Sequence, residues 1–303
     1  MMTKRLLRTQ NQFPSRPSIR GIVLLWCAVL SIGIAGTAAA RPATQQAIDP
    51  KLPTLWIIGD STVRNGRDNG NNGQWGWGNP IAMFFDTTRI NVQNRALGGT
   101  SSRSFRNMGL WEKILGEMKP GDFVIMQFGH NDSGPLDDPA RARGTIHGNG
   151  EQTREIDNPI TKKHEIVRTY GWYLRQYVAE AKAKGAREVI ICSPIPRNAW
   201  TAEKVNRNTS YTRPAAEAAE QSGADFIDLN EIVATRYDAE GRKKVTDTYF
   251  PEKEVVHPDW AGAVLNAQCV VDGLKRLEKS DLAAFLRQPA SAELQNPPTG
   301  KAR

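Results

Sequence analysis

The chain has 303 residues, of which 39% are hydrophobic and 24% charged, a composition that fits one large α/β domain or two small ones and excludes global disorder. Its formal charge of +8 overstates the basicity of the working protein. Residues 1–40 hold five Lys or Arg and no acid, so the remainder carries 35 basic against 32 acidic residues, or +3. No basic stripe interleaved with aromatics occurs, which argues against a nucleic-acid partner.

In chain order, residues 1–40 read as a secretory signal peptide. Lys4, Arg5, Arg8, Arg16 and Arg20 precede an apolar core, Gly21 to Gly36, and Thr37-Ala38-Ala39-Ala40 supplies an Ala-x-Ala pattern. The apolar run is short for a membrane span, which needs roughly 20 residues. The expectation is an exported protein, periplasmic or secreted, with no stable membrane insertion after cleavage; an uncleaved N-terminal anchor is the alternative. Residues 41–52 read as a linker, 53–285 as the folded domain and 286–303, polar and Pro-containing, as a disordered tail.

Within the domain, five short apolar runs predict buried strands: Thr54–Ile58, Ile90–Asn94, Phe123–Gln127, Glu188–Cys192 and Asp225–Asp228. They mostly lack alternation, as expected for parallel strands covered on both faces. Helices are predicted over about Lys163 to Lys184, ended by Gly185, over Arg213 to Gln221, and over Gly262 to Lys279. Strands alternating with helices predict a three-layer α/β/α sandwich on a parallel sheet. Two long loops, Arg64 to Asn79 and Ser133 to Thr161, are expected to serve function. Trp75 and Trp77 in the first could stack on sugar rings or pack in the core. Cys192 and Cys269 read as small core residues, with a disulfide left open by their spacing.

In open α/β sheets, ligands bind beyond the carboxyl ends of the strands. Ser61 follows the first predicted strand, Gly98-Gly99-Thr100-Ser101 the second, and Gly129-His130-Asn131-Asp132 the third. His257 precedes the last helix. A serine hydroxyl needs a base, and a neutral His is the usual one near pH 7. His130, His147, His164 and His257 are the candidates. The oxyanion of an acyl-transfer intermediate needs aimed donors. The Ser61 N–H at a helix start, the Gly99 N–H and the Asn131 amide are suitable types. Asp60 reads as a structural residue of the Ser61 turn. His164-Glu165 is not a zinc motif, because Arg168 stands where a second His is needed.

Gly59-Asp60-Ser61-Thr62, Gly99, Asn131 in Gly129-His130-Asn131-Asp132, and His257 resemble, in order and rough spacing, the four blocks of the SGNH (GDSL-type) hydrolases. The stretch Ala96 to Phe105, Tyr170-Gly171-Trp172-Tyr173-Leu174, Ser193-Pro194-Ile195-Pro196-Arg197 and Ala261-Gly262-Ala263 resemble the rhamnogalacturonan acetylesterase branch of that family. The resemblance implies a flavodoxin-like five-stranded fold, no metal or cofactor, Ser61 as nucleophile, His257 as general base and acid, and an oxyanion hole of Ser61, Gly99 and Asn131. It implies an acetylated polysaccharide or oligosaccharide as substrate, of rhamnogalacturonan or another pectin type. The family usually places Asp three residues before the catalytic His; here that residue is Glu254. Glu254 is expected to orient the imidazole, with Glu252 as runner-up, Asp259 on the wrong side of His257, and a dyad without a carboxylate as a further option. A lipase, thioesterase or arylesterase with the same machinery remains an alternative, as does a non-catalytic carbohydrate-binding protein on the same scaffold.

Overall fold

A computed structural model describes residues 47–64, 70 and 72–297. The basic leader, the apolar run and the Ala-x-Ala pattern of residues 1–40 lie outside the described residues. In chain order the strands are β1 (Thr54–Gly59), β2 (Asn91–Asn94), β3 (Phe123–Gln127), β4 (Arg154–Asp157), β5 (His164–Val167), β6 (Glu188–Cys192), β7 (Trp200–Thr201), β8 (Lys204–Val205) and β9 (Asp225–Ile227). The helices are α1 (Ser102–Asn107), α2 (Leu110–Glu117), α3 (Tyr170–Ala183), α4 (Thr212–Ser222), α5 (Leu229–Glu240), α6 (Arg242–Tyr249), α7 (Trp260–Arg276) and α8 (Ser291–Gln295).

The central sheet has five parallel strands in the order β2-β1-β3-β6-β9. Alternate residues of each strand enter opposite layers. Leu55 and Ile57 of β1 pack with α5 and α7, whereas Trp56 and Ile58 pack with α1, α2, α3 and α4. Each fully buried aliphatic side chain contributes about 1.5–3 kcal/mol. Burial on both faces explains the near-continuous apolar runs, and the result is the expected three-layer sandwich. The chain reverses its direction of travel across the sheet between β1 and β3, the kind of switch point where such folds bind ligands.

Several boundaries differ from expectation. Helix α3 starts at Tyr170, capped by the Thr169 hydroxyl, which accepts from Trp172 N–H. His164 to Val167, expected in the helix, instead pairs with β4 in an antiparallel hairpin. Gly185, at φ +82°, follows the end of α3. Through Pro297, the segment expected as a disordered tail is ordered by contacts: Leu286 bridges Phe85, Leu294 packs on the core, and the Trp260 indole donates to the Leu294 carbonyl at 3.0 Å. Apolar Leu286 and Leu294 outweigh the polar composition around them. Cys192 and Cys269 are both free thiols, buried in one core cluster.

Candidate active site

Strand β1 ends at Gly59, where the chain turns sharply. A Cβ there would lie 2.4 Å from the Gln127 carbonyl oxygen and 2.5 Å from Val63 Cγ2, so only glycine fits. Ser61 stands in the turn that follows, not at the start of a helix, with Val63 and Arg64 N–H donating to the Asp60 carbonyl. Asp60 is fully buried beneath it. Its Oδ1 accepts from Thr62 N–H (2.9 Å) and the Thr62 hydroxyl (2.8 Å), and Oδ2 lies 3.4 Å from His130 Nδ1. Burial works to raise the Asp60 carboxyl, but His130 and the Thr62 donors outweigh it and hold it below the usual aspartate value. Asp60 and His130 thus support the turn from below.

The Arg64–Asn79 loop braces the same turn. Trp77 N–H donates to the Thr62 carbonyl and Gly78 N–H to that of Val63, while Trp75 N–H donates to the Pro258 carbonyl at 2.8 Å. The Trp77 indole donates to Gln127 Oε1 at 2.9 Å, and Gln127 Nε2 donates to the Thr62 hydroxyl at 2.6 Å. Both tryptophans are buried, and Trp75 meets Trp260 edge-on at 4.9 Å. They are core residues and are not available to stack on a sugar.

The loop before α7 brings His257 back to β1. His257 Nε2 lies 2.8 Å from Ser61 Oγ, across 196 residues of chain. Its Nδ1 faces Glu254 Oε2 at 3.4 Å, within ion-pair range but long for a hydrogen bond. Glu254 Oε1 accepts from the N–H groups of Val255, Val256 and His257 at 3.0, 2.7 and 3.1 Å. Partial burial pulls the Glu254 carboxyl upward, yet these donors and the His257 ring hold it below the usual glutamate value. Gln74 Nε2 donates to Glu254 Oε2 at 2.5 Å. The other acids near His257 are placed differently. Glu252 is 87% exposed and pairs with Lys253, and Asp259 caps α7 by accepting from Gly262 N–H at 2.9 Å.

Asn131 and the Gly99 loop also meet. Asn131 Nδ2 donates to the Thr100 carbonyl at 2.8 Å, Leu97 N–H donates to the Gly59 carbonyl, and the Thr100 hydroxyl donates to the Leu97 carbonyl at 2.8 Å while lying 3.3 Å from that of Gly59. Gly99 adopts φ +86°, a left-handed conformation that glycine takes without strain. Among the described residues, the Ser61 N–H and the Gly99 N–H have no acceptor, and the second Asn131 amide hydrogen has none. Beside Asn131, Asp132 is buried, with Oδ1 accepting from Ser102 N–H and Oγ–H. Burial pushes the Asp132 carboxyl up to about 7, against the Ser102 donors and with the help of the nearby Asp60 charge.

His147 and His164 are engaged elsewhere. His147 Nε2 is bonded to the Ser210 carbonyl oxygen, and exposed His164 sits beside Asp157 and Glu155. No group of His, Cys, Asp and Glu among the described residues could hold a metal ion, and no described helix is long and apolar enough to cross a membrane. Two nearby residues escaped the sequence reading: Gln74 behind Glu254, and Arg143, whose Nη1 donates to the Gly99 carbonyl at 2.7 Å. Both lie in long loops without periodicity, where only the expectation that such loops serve function pointed to them.

The family described as GDSL-like lipase/acylhydrolase matches residues 57–265, a span that contains Ser61, Gly99, Asn131 and His257. The chain belongs to this family. As a member it is a carboxylic ester hydrolase of the SGNH type. It is 31% identical over 219 residues to a rhamnogalacturonan acetylesterase of Emericella nidulans, covering 71% of this chain and 82% of the relative. It is 30% identical over 228 residues to a probable rhamnogalacturonan acetylesterase, YesY, of Bacillus subtilis, covering 74% and 93%. A crystal structure of the Bacillus subtilis protein YxiM superposes with a TM-score of 0.59 at 28% identity, over 74% of this chain and 56% of that one.

Proposed function

We propose that the protein removes acetyl groups from an acetylated polysaccharide, of rhamnogalacturonan or another pectin type, through an acyl-enzyme on Ser61. The 2.8 Å approach of His257 Nε2 to Ser61 Oγ carries this reading. With its proton on Nδ1, toward Glu254, the neutral imidazole presents the Nε2 lone pair to the serine hydroxyl. His257 takes the Ser61 proton as Oγ attacks the acetyl carbonyl carbon. The resulting oxyanion is held by the Ser61 N–H, the Gly99 N–H and the Asn131 amide, donors left over in the fold. The intermediate collapses by breaking the bond to the sugar oxygen, which leaves with the proton from His257. Water then attacks the acetyl-serine, giving its proton to His257, and acetate departs as Ser61 recovers its hydrogen.

The names of the relatives support acetyl and pectin chemistry. A small cleft beside His130 has both polar walls, from Ser133, Arg197, Asn208 and Ser210, and apolar ones, from Pro194, Ile195 and Tyr211. Export is part of the proposal and rests on residues 1–40; N-terminal sequencing of the protein recovered outside the cytoplasm tests it. For the chemistry, acetate release from acetylated pectins, xylans and mannans is measured with Ser61→Ala as control. The variant should lose at least about a thousandfold in kcat. Acetate release at the wild-type rate by Ser61→Ala would overturn the assignment.

A further inference from the structure

Arg143 is a partly buried arginine that, like Arg64 and Arg168, pairs with no carboxylate among the described residues, but it is the one of the three that bonds the Gly99 carbonyl. Arg103, Arg106, Arg175 and Arg207 each carry a carboxylate: Glu165, Glu180, Glu151 and Glu231. Arg143 has none within 4.0 Å among the described residues. Its one hydrogen bond there is Nη1 to the Gly99 carbonyl, so most of its five N–H donors are unused. Partial burial and the neighbouring Arg141 charge press its basicity down, while Asp60, Asp132 and Asp138 are near enough only to soften that effect.

The position is not accidental to the fold. Fully buried Arg103 donates to the carbonyls of Leu136 and Gly144 at 2.8 Å each, which clamps the loop immediately after Arg143. Gly99, which Arg143 touches, carries a leftover N–H beside the Ser61 turn. A half-buried guanidinium held at this point, without an acid of its own, is a receptor for an anion arriving with the substrate. Guanidinium binds carboxylate through parallel N–H donors, which selects a planar carboxylate over a hydroxyl.

Resting on the acetylesterase reading above, we propose that Arg143 binds a carboxylate of the glycan, so that the preferred substrate carries a uronate at or next to the acetylated sugar. Specificity for acetylated polyuronides over neutral acetylated glycans then comes from this arginine. Arg197, exposed on the wall of the cleft beside His130, offers a second positive charge to a polyanionic chain.

The test compares kcat/KM on acetylated homogalacturonan, on the same polymer after chemical reduction of its carboxyl groups, and on acetylated xylan. Wild-type protein should lose about tenfold or more on carboxyl reduction, mostly in KM. In Arg143→Gln, the preference for the native over the reduced polymer should shrink by a similar factor, and Arg143→Lys should restore part of it. Equal losses of the variant on all three substrates would mean that Arg143 only positions Gly99, and would overturn the proposal. So would a wild-type rate indifferent to carboxyl reduction. Absence of acetate release by wild type from every glycan would overturn the acetylesterase reading itself, and this proposal with it.

Discussion

Glu254 divides its carboxylate between two tasks: Oε1 closes on the N–H groups of Val255, Val256 and His257, and Oε2 faces His257 Nδ1. The extra methylene relative to Asp lets the side chain fold back over its own backbone and still reach the ring. Glu254→Gln should therefore keep an acceptor for the backbone donors but lose the charge that favours the Nδ1–H tautomer. We expect kcat to fall by at least about tenfold, short of the roughly ten-thousandfold seen when a well-bonded triad carboxylate becomes an amide. Steady-state kinetics on an aryl acetate check this. Activity within about twofold of wild type would favour a dyad that works without the carboxylate.

Asn131 uses one amide hydrogen on the Thr100 carbonyl and keeps the other. Asn131→Ala should lower kcat by about a hundredfold or more, the cost of one oxyanion donor, with a small change in KM. A loss confined to KM would move Asn131 from stabilising the transition state to binding substrate.

Trp77→Phe removes the indole donor and leaves Gln127 Oε1 buried without it. The expected destabilisation is about 1–3 kcal/mol. Urea unfolding followed by circular dichroism measures it, and an unchanged midpoint would count against the buried chain of bonds from Trp77 through Gln127 to Thr62.

Asp132, raised to about 7 in the fold, ionises near 3.9 in an unfolded chain. Its stabilising contribution is thus fully present below about pH 4 and lost as the pH rises toward 7. Asp132→Asn has no such loss and can still accept from Ser102 through its carbonyl oxygen. Its melting temperature should therefore gain on that of wild type between about pH 4 and 7 and keep a constant offset above. Parallel melting curves across that range would contradict the assignment.

Most of the sheet was readable in advance because its strands are buried on both faces, which leaves short runs such as Glu188–Cys192 with few competing interpretations. The rim was suggested by position, since Ser61, Gly99 and Asn131 each lie within five residues of the end of a strand. Helix α6 was not readable: only Val245 and Tyr249 of its eight residues are buried, too few marks for a helical period. His164 to Val167 mimicked the first turn of α3 because Ile166 stands four residues before Tyr170, yet Ile166 is exposed and pairing with β4 decides the backbone. Gln74 and Arg143 matter through tertiary contacts that no local pattern announces.

The backbone bonds from the Trp75–Gly78 segment to Thr62, Val63 and Pro258 give catalysis a place in the order of folding. Ser61 stands early in the chain and His257 comes 196 residues later, and this one segment bonds the residues next to both. A chain interrupted between Ile227 and His257 still contains β1, β2, β3, β6 and β9, yet it lacks the imidazole that meets Ser61 Oγ. On the proposed mechanism, ester cleavage therefore waits for the Ser61–His257 contact to close, and an assay of acetate release during refolding would time that closure.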